Sequence, residues 1–222
     1  MSTEPVSPFA KLDIPIPIVG FTLAYVALAT VAALLRGNTE FLFYIVVMCV
    51  LMVAGAVVHI RVHLSRPVLW ALSVWGLAHM AGGLVSVPES WPINGEIRVL
   101  YSLWLIPGWL KYDQIVHAFG FGATTVICWQ GVCAVFAGTR EGASAEESLP
   151  LEPTFGVLIL CACAGMGFGA LNEVIEFAAT LLVPETNVGG YLNTGWDLVA
   201  NLVGASLAAI GIRVRHASSN RK

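Results

Sequence analysis

A chain of 222 residues with 57% hydrophobic and only 11% charged side chains is not an ordinary water-soluble domain, which carries about 25% charged residues. Its mean hydropathy of +0.80 places most of it in lipid. The net charge of −3 is too small to point to a nucleic-acid partner, and one domain is the simplest division of this length.

Residues 1–13 read as a polar cytoplasmic tail containing Pro5, Pro8 and a single Lys11, without a cleavable signal pattern. Ile14 to Leu35 is free of charge and long enough to span a bilayer. Arg36-Gly37-Asn38-Thr39-Glu40 makes a short turn, and Phe41 to Val58 is the second span. His59, Arg61, His63 and Arg66 form a basic connection to the third span, Pro67 to about Val85, whose only ionisable residue is His79. The loop Glu89–Glu96 leads into Ile97–Leu110, apolar and rich in Trp and Tyr but too short to cross. It reads as a short interfacial helix or re-entrant piece, with Trp91, Trp104 and Trp109 at headgroup level.

The fourth span runs from about Tyr112 to Phe136 and is followed by a hydrophilic loop, Gly138–Pro153. The fifth runs from Thr154 to Val183, and the sixth from about Asn193 to Ile212. A basic tail, 213–222, closes the chain. The expected architecture is an all-α polytopic membrane bundle with about six transmembrane helices and one short interfacial helix, residues 14–212 forming a single domain. Cys49, Cys128, Cys133, Cys161 and Cys163 lie in apolar runs without a CxxC pair, so they read as packing residues. Gly165-x-x-x-Gly169 and Gly204-x-x-x-Ala208 read as sites of close helix approach.

Six spans put both termini on one side. Lys11, Arg61, Arg66, Arg140, Arg213, Arg215, Arg221 and Lys222 fall on that side, against Arg36, Arg98 and Lys111 on the other. The positive-inside rule makes the termini cytoplasmic in an inner (plasma) membrane. At 1.5 Å per residue, His79 then lies roughly 10 Å below the outer surface, Asp113 near it and His117 about one turn deeper. Glu176 lies roughly 10 Å and Glu173 roughly 15 Å down, with Asp197 and Asn201 about one and two turns into the sixth span. Every ionisable residue inside a span thus falls in the outer half.

Four carboxylates, Asp113, Glu173, Glu176 and Asp197, have no Lys or Arg within any span to neutralise them. Lys111 and Arg98, at the rim, offset at most part of that charge. Such a site holds a cation, shares protons or opens to water. Carboxylates with imidazoles suit a divalent metal, and helical bundles build such centres from facing helices. The candidate ligands are His79, Asp113, His117, Glu173, Glu176 and Asp197. Asp113, His117, Glu173 and Glu176 are also the candidate catalytic groups. Plainer readings stand beside these. A single His79 can simply hydrogen-bond between helices, and Asp113 and Asp197 can cap helix N-termini. Glu173 and Glu176 are too deep for that account. Asn172 and Asn201 read as supporting hydrogen-bond partners, and the Gly-rich loop 185–195 as a cover over the site.

Tyr112-Asp113-x-x-x-His117, Asn172-Glu173-x-x-Glu176 and Trp196-Asp197-x-x-x-Asn201, in that order, resemble YjdF-type bacterial inner-membrane proteins. The segment Leu77-Ala78-His79-Met80-Ala81-Gly82-Gly83 resembles the matching helix of that type. A more distant similarity is to VanZ-like proteins, named for a glycopeptide-resistance determinant. The resemblance covers roughly residues 70–210; the loop before Trp196 departs from it, being shorter and less acidic. It implies a polytopic membrane protein with a shared polar core and no particular reaction.

Three functions follow from these residues. One is a metal-dependent enzyme acting at the outer leaflet on a membrane lipid or lipid-linked envelope substrate, with a divalent ion of unspecified identity activating water and a carboxylate as general base. No known catalytic motif accompanies it. Another is a proton- or cation-coupled transporter, for which the fourth span offers only Thr124, Thr125 and Gln130 towards the cytoplasm, with no internal repeat. The third is a non-catalytic binding or accessory protein. Oligomeric state is not set by the sequence.

Overall fold

The structure is a computed structural model that describes residues 15–138 and 151–219. The expected tail 1–13, residues 139–150 of the fourth-to-fifth loop, and Arg221 and Lys222 lie outside the described residues. The chain is a polytopic helical bundle: α1 (Ile16–Arg36), α2 (Thr39–Val62), α3 (Arg66–Leu84), α4 (Tyr112–Gly138), α5 (Phe155–Leu182) and α6 (Tyr191–Ser219) are each long and apolar enough to cross a membrane. Each begins and ends within a few residues of its expected span, except that α6 continues past Ile212 to Ser219.

Local chemistry explains the boundaries. Gly37 ends α1 at a φ of +61°, a left-handed conformation that favours glycine. The Asn38 side chain then accepts the Phe41 amide at 3.0 Å and starts α2. Pro67 lies in the first turn of α3, where its missing N–H costs nothing.

The segment between α3 and α4 corrects one expectation. In place of a short interfacial helix it holds a single 3-10 turn, Leu100–Ser102, and a two-stranded antiparallel hairpin, β1 (Trp104–Ile106) with β2 (Leu110–Lys111). The Pro107-Gly108 turn prevents a continuous helix, with Gly108 at a φ of +77°. Further pairing, Ser86 with Val99 and Ile93 with Leu103, satisfies the backbone there. Trp91 and Trp109 are exposed on this segment, and Trp104 is half-buried.

Inside lipid, close packing rather than water exclusion holds helices together. Most of the packing around α4 is with α6 and then α5, while α1 lies chiefly on α3. Glycines permit the closest approaches. A Cβ at Gly204 would overlap the Ala118 carbonyl, so α6 and α4 touch backbone to backbone. On α5, Gly165 faces Thr125 of α4 and Gly169 faces Asn201 of α6. Gly82 and Gly83, at the end of α3, seat the rings of Tyr101 and Phe41. A hydrophobic core of Tyr25, Phe41, Tyr44, Met80, Leu84 and Ala179 joins α1, α2, α3 and α5 at the hairpin end.

Contacts at this end also pin the α5–α6 loop. Glu40, buried in the first turn of α2, accepts the Asn187 amide at 3.0 Å, and the Ser102 hydroxyl reaches Asn187 Oδ1 at 3.5 Å. Glu40→Ala leaves that amide without its acceptor, a loss of about 1–3 kcal/mol. The expected result is accelerated hydrogen exchange at Asn187 with the spans unchanged. Unaltered exchange in that loop would remove Glu40 as its anchor.

Candidate metal centre

The ends of α3 and α5, the starts of α4 and α6 and the hairpin meet at one end of the bundle. Helical spacing projects Asp113 and His117 from one face of α4, Glu173 and Glu176 from one face of α5, and Asp197 and Asn201 from one face of α6. Because α4 packs on both α5 and α6, the three faces converge on His117. Its Nδ1 lies 3.6 Å from Glu173 Oε1. Its Nε2 lies 3.8 Å from Glu176 Oε1 and 3.7 Å from Asp113 Oδ1. Two groups result, each with ligand atoms within 4.8 Å of one another: Asp113, His117 and Asp197, and His117, Glu173 and Glu176.

The surrounding hydrogen bonds are unequal. His117 Nδ1 lies 3.1 Å from Asn201 Oδ1. A neutral imidazole has one N–H and one lone pair, and Asn201, whose Nδ2 has no partner, meets the Nδ1 side, while Glu173 lies at Nδ1 and Asp113 and Glu176 at Nε2. Asn193 Nδ2 donates to Asp197 Oδ2 at 2.5 Å and reaches Asp113 Oδ2 at 3.4 Å. Asn172 Nδ2 donates to Glu176 Oε1 at 2.8 Å. Both oxygens of Glu173, Oδ1 of Asp197 and Nδ2 of Asn201 are buried without a hydrogen-bond partner. Asn172 and Thr194 approach Glu173 without hydrogen-bonding geometry. Asp197 and Asn201 are 0% exposed. Leaving such oxygens dry costs about 1–3 kcal/mol each, more when charged, so they call for a donor or a cation.

Other candidates fall elsewhere. His79 is in neither group; its Nδ1 is 2.5 Å from the Tyr101 hydroxyl, and its ring meets those of Tyr44 and Tyr101 edge-on. Burial pushes the Tyr101 phenol well above its ordinary pKa, so it stays protonated beside His79. Arg98 turns its guanidinium to the carbonyls of Pro88 and Trp91, away from the carboxylates. Lys111, by contrast, is drawn in. It is 5% exposed, bonds Asn193 Oδ1, and holds its Nζ 3.6 Å from Asp113 Oδ2. Sequence reading put Lys111 at the rim and Asn193 only within the covering loop 185–195. Their only signal was a cation two residues before Asp113 and an amide four before Asp197.

Beside the centre, α4 and α6 flank an apolar groove of about 580 Å³. Ala118, Gly122, Ala200 and Gly204 are among its lining residues, and the exposed Trp109 and Trp196 contribute at its hairpin end.

Fold and centre together define a multi-pass membrane protein with a buried carboxylate–imidazole cluster near one end of its helices. The chain belongs to the family described as predicted membrane protein (DUF2238), which it matches over residues 17–218. No curated protein and no solved structure matches it.

Proposed function

We propose that this protein is a divalent-metal-dependent membrane enzyme acting on a lipid or lipid-linked envelope substrate. The observation that carries the reading is Glu173: both carboxylate oxygens are buried and unpartnered beside His117 and Glu176. A cation supplies what the protein's own donors do not. Oxygen-rich ligands with one imidazole suit Mg²⁺, Mn²⁺ or Zn²⁺. Such an ion lowers the pKa of bound water and neutralises phosphate, and a neighbouring carboxylate serves as general base. The groove on α4 and α6, with tryptophans at its hairpin end, supports an amphiphilic substrate.

Transport is the weaker reading. Thr124 and Thr125, on the route to the far end of α4, turn their hydroxyls back to the carbonyls of Gly120 and Phe121, and Gln130 bonds Ser65. That arrangement favours chemistry at one face over passage across the membrane. The proposal includes cytoplasmic termini in a bacterial inner membrane, which puts the centre in the outer half, and kinship with YjdF-type proteins on the order of the three motifs.

Elemental mass spectrometry of the purified protein tests the reading. A near-stoichiometric divalent ion is expected, lost when Glu173→Gln and Glu176→Gln are combined. No metal in either protein, with equal stability, would sink the metal centre and leave a non-catalytic polar core.

A further inference from the structure

His117 is shared by two candidate ligand groups, and a single neutral imidazole has one lone pair to give. The two groups therefore compete for it, and their remaining partners decide the outcome. On the Asp113/Asp197 side the chain already supplies positive charge and a donor to one oxygen of each carboxylate, Asp197 Oδ1 staying unpartnered. Lys111 Nζ lies 3.6 Å from Asp113 Oδ2, and Asn193 accepts from Lys111 while donating to Asp197 Oδ2. On the α5 side no Lys or Arg among the described residues pairs with Glu173 or Glu176; Asn172 serves Glu176, and neither oxygen of Glu173 has a hydrogen bond. A divalent ion placed between Asp113 and Asp197 would also stand close to the buried ammonium, where repulsion between like charges is large.

We infer that the centre takes one divalent cation, on His117, Glu173 and Glu176, and that Lys111 is a built-in cation filling the Asp113/Asp197 side. This rests on the metal reading above and adds its stoichiometry, its ligand set and a positioning residue. Lys111, relayed by Asn193, holds Asp113 and Asp197 together where two bare carboxylates would repel. It also ties the hairpin to the start of α6, so the position of the tether and the charge of the site are coupled.

Calorimetric titration of the detergent-solubilised full chain with Mn²⁺ decides the matter. The wild type is expected to bind one equivalent. Glu173→Gln should weaken that binding by more than ~100-fold, beyond the range seen for groups that only support a ligand, while Asp197→Asn should leave it within ~10-fold. Lys111→Met should admit a second equivalent on the vacated side, and Lys111→Arg, which keeps the charge and the fold, should hold the count at one. Two equivalents in the wild type, equal losses in Glu173→Gln and Asp197→Asn, or a folded Lys111→Met still binding one ion would each overturn this assignment while leaving a metal centre. Failure of the wild type to bind Mn²⁺, Mg²⁺ or Zn²⁺ would overturn the metal reading itself, and this assignment with it.

Discussion

Replacing His117 with Gln is expected to cost more cation affinity than any other single change in the centre, beyond the ~10–100-fold typical of residues that merely support a ligand. The imidazole is common to both ligand groups, is 5% exposed, and is hydrogen-bonded to Asn201. Gln keeps polarity and much of the volume, so packing against Phe121 changes little. It cannot place a nitrogen lone pair where the imidazole nitrogens stand, facing Asp113, Glu173 and Glu176. Without that ligand both candidate ligand groups lose their only imidazole. His79→Gln is the matched control, because His79 lies with Tyr101 outside both groups and its loss should leave affinity nearly unchanged. Titration of both variants with Mn²⁺ separates the two histidines. Equal losses would mean that His79 is a ligand, as the sequence alone allowed. No loss in His117→Gln would remove the shared imidazole from the centre.

The spans were legible because membrane helices advertise themselves: long charge-free runs, ended at turns such as Gly37-Asn38, leave few alternatives. Convergence of Asp113, His117, Glu173, Glu176 and Asp197 was legible too, since six alternating spans put all of them towards one end. Misreading of Ile97–Leu110 came from composition. Its Trp, Tyr and Leu residues suit an interfacial helix as well as a hairpin, and only Pro107-Gly108 argued for the turn that forms. Burial of Lys111 was not legible, because a lysine at a span boundary ordinarily extends towards headgroups and water. Here Asn193 and Asp113, more attractive than solvent at that depth, draw it inward. Glu40 and Asn187 escaped notice for a related reason: their pairing links residues far apart in sequence, through a backbone amide that no side-chain pattern reveals.

Gly204→Val is expected to be the most damaging substitution away from the ligands, because what it meets is backbone. A Cβ there would overlap the carbonyl and Cα of Ala118, and across the same contact a Cβ at Gly122 would stand 3.1 Å from the Gly204 carbonyl oxygen. A side chain in the way can rotate aside; two helix backbones can only separate. That separation moves Asp197 and Asn201, within two turns of Gly204 on α6, away from Asp113 and His117 on α4. Overpacking of this kind costs about 1–3 kcal/mol where the surroundings can adjust, and α4 against α6 has little freedom to do so. Gly211→Val, on the same helix with nothing within 4 Å of the added carbon, reports the intrinsic effect of valine at a helical glycine. Thermal unfolding in detergent should show a marked loss for Gly204→Val and almost none for Gly211→Val, with Mn²⁺ affinity falling only in the former. Equal stability of the two would mean that the α4–α6 contact does not set the geometry of the centre. A Gly204→Val protein that stays folded but binds no ion would tie the geometry of the centre directly to the closeness of these two backbones.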